Sequence, residues 1–145
     1  MIDTVVIATD GSESVGRAVT IALDVADRFD AEVHALYVID ESEVNSTPEA
    51  VREELRTALD EAGAEALAAI EERNGRRMTT AVREGRPADE IAAYAREHDA
   101  DVVATGTRGR HGEHRFLLGS VAERVVGTCP VPVLTVRQVD AATAT

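Results

Sequence analysis

Gly106, Gly109, Gly119 and Ser120 are spaced as two glycines three apart after an apolar run, then a Gly-Ser pair ten residues on, where a helical pattern begins. Glycines let the backbone come close to a ligand or take positive φ, and a helix start offers free N–H groups and the positive end of a dipole. The chemistry such a set can do is to hold an anion. Between the glycines stand Arg108, Arg110 and Arg115 with His111 and His114, in a chain whose net charge is −12. Taken singly, each residue also has a plainer use: Gly106 turns the chain after a strand, and Ser120 caps its helix in a capping box with Glu123.

A second candidate is Asp10 in "TDGSES", a carboxylate placed just past an apolar run. It can accept from ligand hydroxyls or close an Asx turn, and the two uses are compatible. The HxxH pair His111 and His114 lacks the regular helix and third ligand of a metal site, so no protein metal site is expected. His34 reads as packed within its strand, and His98 sits where a helix C-terminus favours it.

Composition removes whole classes of chemistry. All fifteen basic residues are arginine. Without lysine there is no Walker A lysine, no kinase strand lysine and no Schiff base. The acidic balance argues against nucleic-acid binding, which relies on clustered Lys and Arg. An acidic, lysine-free surface suits a salt-adapted organism, whose solvent screens its self-repulsion, although a GC-rich genome alone gives the same lysine bias. One cysteine, Cys129, fits a reducing compartment and a packed small hydrophobe. Apolar runs are only strand-length and no charged leader precedes the first one, so neither a membrane span nor a signal peptide is expected and the location should be cytoplasmic.

The elements that must carry these residues follow from periodicity. Residues 4–9 are β-branched and apolar throughout, as in a strand buried on both faces. Val15, Ala18, Val19, Ala22, Val25, Ala26 and Phe29 recur at helical spacing. Residues 31–40 read as a second buried strand and 41–47 as a loop. Thr47 as N-cap and Pro48 at the first helical position open a long helix with Val51, Leu55, Leu59, Ala62, Ala66 and Ile70 on one face. Residues 76–85 alternate, with Met78, Thr80 and Val82 on one side, which suits a sheet edge. A helix from Pro87, a buried strand at 100–105, a helix over 119–128 and a strand over 130–136 complete the chain.

Strands separated by crossovers of this length imply an α/β fold: an open, five-stranded parallel sheet, doubly wound, with helices on both faces. Ligands bind outside the carboxyl ends of such strands where the winding reverses. For the loops after strands one and four to serve one ligand, these strands must be neighbours, which the order 3-2-1-4-5 satisfies. One domain over residues 1–138 is expected, with 139–145 a loose tail.

The spacing G-x2-G-x9-G-S resembles the ATP-binding motif of the universal stress protein family. The likeness extends through "VVIATDGSE", "ALYVID", "EGRPADEI", "ADVVATGTRGR" and "CPVPVLTV", about residues 4–137. The resemblance implies a Rossmann-like ATP-binding protein of stress response or regulation. By position, Asp10 would bind the ribose hydroxyls, Val38 would meet adenine through its backbone, and Ala8 and Thr9 would line the same wall. Gly106, Gly109, Gly119, Ser120 and Val121 would surround ribose and phosphates, with Thr105 and Arg108 as near neighbours. Magnesium would bridge the phosphates. No residue announces itself as positioning water or stabilising a transferring phosphoryl group, so any hydrolysis is expected to be slow. The family also implies a homodimer through the last strand, at about residues 134–138, because Pro130 and Pro132 cannot donate from the outer edge. The alternative is a partner-binding scaffold that needs no nucleotide, as in relatives lacking the glycines. An adenylating enzyme of the ATP pyrophosphatase type would want an SGGxDS loop, which "TDGSES" is not.

Overall fold

The computed structural model describes residues 1–12, 15–75, 77–107 and 119–138. In chain order these form β1 (Thr4–Thr9), α1 (Gly16–Phe29), β2 (Glu32–Asp40), α2 (Glu41–Asn45), a 3-10 turn (Glu49–Val51), α3 (Arg52–Arg73), β3 (Met78–Gly85), α4 (Pro87–Glu97), β4 (Val102–Gly106), α5 (Ser120–Thr128) and β5 (Val133–Val136). The strands make one parallel sheet in the order β3-β2-β1-β4-β5, as the loop chemistry required.

Alternation along β1 divides the core into two layers. Val5 and Ile7 join α1 residues Ala18, Val19 and Ala22 and α3 residues Leu59, Leu67 and Ile70. Val6 and Ala8 join Ala88, Ile91 and Tyr94 of α4 and Val125 of α5. Each β1 residue is buried, which is why the run shows no polar alternation. Just past α1 and α4 stands an aspartate with positive φ, Asp30 at 55° and Asp99 at 50°, a conformation aspartate tolerates better than most residues. In each case the following alanine N–H reaches back five residues, Ala31 to the Ala26 carbonyl and Ala100 to that of Ala95, and the chain turns into a strand.

Three boundaries depart from the periodicity. Residues 41–45, expected as loop, form α2, because Asp40 Oδ1 accepts from the Ser42 N–H at 2.9 Å and caps that helix. Thr47 does not cap the next helix. Its hydroxyl donates to the Glu43 carbonyl at 2.9 Å, and Pro48 is extended with ψ 136°. The long helix therefore starts at Arg52, leaving Val51 40% exposed and moving the buried stripe to Leu59, Gly63, Leu67 and Ile70. The last strand begins at Val133, not at residue 130. The Pro132 carbonyl accepts from the Val103 N–H at 2.9 Å, so this proline turns its carbonyl toward β4 and not to the outer edge.

β3 is an edge strand, as its pattern suggested. Met78 packs on one layer and Ala81 on the other, while Val82 is 39% exposed.

Candidate functional site

β2 outruns β1: Thr9 pairs with Tyr37, and Val38, Ile39 and Asp40 continue beside β3 alone. With β4 on the other side of β1, this stagger opens a cleft of about 270 Å³ above the carboxyl ends of the strands. Its floor is Ala8, Thr9, Leu36 and Val38 from the strands. One wall is Pro87 and Ile91 of α4, and the other is Gly119, Ser120, Val121 and Ala122 at the start of α5. Asp10, Val15, Thr105 and Gly106 close the side nearest the glycine loop, and Asp40 and Glu43 stand at the end of β2 and on α2. The volume is close to the lower end of the roughly 300–1,000 Å³ usual for small-molecule sites.

The turn after β1 is built by two side chains. Thr9 Oγ1 accepts from the Gly11 N–H at 3.0 Å, and Asp10 Oδ1 accepts from the Ser12 N–H at 2.9 Å. Gly11 has φ +80°, a conformation that disfavours any residue with a Cβ. The Asx turn is thus formed, and Asp10 still borders the cleft.

Across the cleft, the Gly119 N–H donates to the Thr107 carbonyl at 2.6 Å and brings the two ends of the glycine loop together. Gly119, and not Ser120, is the N-cap of α5: it is extended, its carbonyl accepts from the Glu123 N–H at 2.9 Å, and no side chain caps this helix. The expected capping box is therefore absent. Ser120 is the first helical residue, so its N–H and those of Val121 and Ala122 lack partners inside the helix.

Nine of the eleven residues singled out from the sequence line this one cleft: Ala8, Thr9, Asp10, Val38, Thr105, Gly106, Gly119, Ser120 and Val121. Arg108 and Gly109 lie outside the described residues, as do Arg110, His111, His114 and Arg115. Leu36, Asp40, Glu43, Pro87, Ile91, Val15 and Ala122 were not anticipated. Leu36 and Asp40 were legible in principle, being the same-face neighbours of Val38, and Ala122 shares the first turn of α5. Glu43 was hidden by reading its helix as a loop.

Charge is distributed unevenly. Among the described lining residues the ionisable ones are the carboxylates Asp10, Asp40 and Glu43, while the dipole of α5 presents positive potential at the opposite wall. Among the described residues no group of three or more His, Cys, Asp or Glu is placed to hold a metal ion. A divalent ion here would therefore lean on ligand oxygens and water.

Displaced proton affinities lie outside the cleft, several of them in a cluster under α4. His34 is 5% exposed and its Nδ1 is 2.7 Å from the Tyr94 hydroxyl. Burial, with His98 nearby, holds its imidazole below the ordinary value against the opposing pull of Glu32 at 3.6 Å. Tyr94 is pushed up by burial, stacks on His98 at 3.9 Å between centroids, and carries Arg83 4.8 Å from its ring centre. Arg83 also pairs with Glu97.

The universal stress protein family matches residues 1–137 by its family model. Universal stress protein MJ0531 of Methanocaldococcus jannaschii is 42% identical over 138 residues, covering 92% of this chain and 81% of the relative. Among solved structures, hypothetical protein MJ0577 superposes with a TM-score of 0.83 at 28% identity, covering 97% of this chain and 99% of the other. Universal stress protein UspA from Lactobacillus plantarum does so with a TM-score of 0.79 at 28% identity, covering 94% and 98%. Two further proteins share the fold at 24% and 22% identity, with TM-scores of 0.68 and 0.65. They are a universal stress protein in complex with cAMP and one from Archaeoglobus fulgidus in complex with dAMP.

Proposed function

Because the chain belongs to the universal stress protein family, we propose that it is an ATP-binding stress-response regulator whose cleft holds the nucleotide across the ends of β1, β2 and β4. The observation that carries this is the single cleft in which Asp10, Val38, Gly106, Gly119 and Ser120 meet, although they come from three strand ends and a helix start. Phosphates go to the wall where α5 begins, since its amides have no side-chain cap and its dipole favours anions. Gly109, outside the described residues, is assigned to the phosphates by its place in the G-x2-G-x9-G-S spacing alone. Asp10 accepts from the ribose hydroxyls, and Val38, beside Leu36 and Ile91, gives the base an apolar seat. Ala8, Thr9 and Thr105 wall this seat, and Arg108 follows Thr105 at the loop. A magnesium ion, if taken up with the nucleotide, would supply charge neutralisation at the phosphates and would depend on ligand oxygens and water, since the described residues offer no cluster of protein ligands. Two proteins of this fold, solved with cAMP and dAMP, support an adenine nucleotide as the ligand class. Nothing in this reading asks the protein for fast hydrolysis. ATP acts as a signal, and the protein works in the cytoplasm as a dimer joined through β5.

The test is to purify the protein in molar potassium chloride, denature it and chromatograph the supernatant for nucleotides. ATP should co-purify with the wild type and be lost in Gly109→Val, Ser120→Ala. A wild type that carries no nucleotide and gives no heat on titration with magnesium-ATP would favour a nucleotide-independent scaffold.

A further inference from the structure

The cleft has a direction, and its far end has chemistry that phosphate binding does not use. Leu36, Val38, Pro87 and Ile91 form an apolar seat for a flat ring, and Asp40 is the next residue of β2 on the Val38 face, roughly 7 Å farther along the strand. Its carboxylate is held in place: Oδ1 accepts from the Ser42 N–H at 2.9 Å and from the Ser42 hydroxyl at 2.7 Å. Among the described residues the second oxygen, Oδ2, takes no hydrogen bond, and Asp40 lines the cleft. Glu43, one helical turn later, brings another carboxylate to the same cleft. Two arginines, Arg86 and Arg124, line the adjoining recess with Asp40, outside the cleft itself, and Arg86 is drawn to Glu41 at 3.6 Å.

Carboxylates repel phosphate, so this end is unsuited to the anionic part of the ligand, and an ionised carboxylate only accepts hydrogen bonds. Building on the nucleotide reading above, we infer that Asp40, assisted by Glu43, selects the base: it accepts from the exocyclic amino group of a 6-aminopurine and rejects the carbonyl of a 6-oxopurine. The discrimination comes from leaving an acceptor facing an acceptor in a half-buried site.

The cap makes the test sharp. In Asp40→Asn the amide oxygen can still take the Ser42 N–H, because asparagine caps helices as well as aspartate does. That arrangement turns the amide NH2, a donor, to the place of Oδ2. Calorimetric titration of the full chain with ATP and with ITP, magnesium present, reads the result. Wild type should prefer ATP by about tenfold or more. Asp40→Asn should erase or invert that preference, weakening ATP while strengthening ITP, and Glu43→Gln should shift it less in the same direction. Loss of helix α2 alone would weaken both nucleotides together. If Asp40→Asn does not fold, Glu43→Gln reads the same ratio. An ATP-to-ITP ratio that neither variant moves, with ATP still bound, overturns base selection and leaves the nucleotide site standing. A wild type that binds neither nucleotide overturns the nucleotide reading itself.

Discussion

At the scale of single residues, polar groups serve the fold and the cleft together. Asp10 holds a turn and borders the cleft; Asp40 caps α2 and borders it too. His34 is different, since its role is confined to packing under α4, where it meets Tyr94 and the ring of His98 at 5.0 Å. Its imidazole is held below the ordinary value chiefly by burial, so the unfolded chain takes up the proton more readily than the native one. Stability from this site is complete above the ordinary imidazole value, about 6.5, and is lost as pH falls from there toward the lowered native value. Glu97, beside Arg83, and Asp101, which accepts from the Asp3 and Thr4 N–H groups, are held below their ordinary values and lose their contributions in a more acid window. Urea midpoints measured from pH 8 to pH 5 should fall in the wild type and fall less in His34→Gln. Parallel curves would assign the acid sensitivity to other groups.

At the scale of elements, the packing of α3 on β2 turns on one glycine. Gly63 lies over the Tyr37 ring, and a Cβ there would stand 2.6 Å from Tyr37 Cδ1. In an exposed helix, Gly→Ala gains about 1 kcal/mol. Here overpacking against a buried ring costs about 1–3 kcal/mol, so Gly63→Ala should lower stability by about 1 kcal/mol net. Urea unfolding checks the sign, and a stabilised variant would mean that α3 lifts off the ring without loss. Periodicity located α3 but set its buried stripe too early. The 3-10 turn at Glu49–Val51, which delays the helix, is set by an extended Pro48 and by a threonine bonded backwards, neither of which hydrophobic spacing records.

At the scale of the whole molecule, the −12 charge opposes any self-association that buries β5. The proposed dimer doubles that charge in one particle, and salt screens it over about 3 Å near 1 M against about 10 Å near 0.1 M. Sedimentation at micromolar protein should therefore show a dimer in molar potassium chloride that dissociates as salt is withdrawn. A monomer at high salt would remove the dimer through β5. The Arg137 carbonyl and the Gln138 side chain are committed within the chain, since the Arg17 guanidinium donates to the Arg137 carbonyl at 3.1 Å and the Arg17 N–H to Gln138 Oε1 at 2.9 Å.

The sheet order, the layers and most of the cleft were legible in the sequence because they depend on local chemistry: apolar runs of strand length, turn residues after β1 and β4, and glycines at fixed spacing. If the loops after β1 and β4 serve one ligand, β1 must stand beside β4, and the sheet has that order. What only the tertiary structure decided is which side chains from distant segments share that space. Pro87 and Ile91 face Val38 because α4 crosses above β2. Asp40 and Glu43 join them because β2 runs three residues past β1 and turns at once into a helix. Strand stagger and helix crossing arise from packing between elements, and no spacing within one segment encodes them.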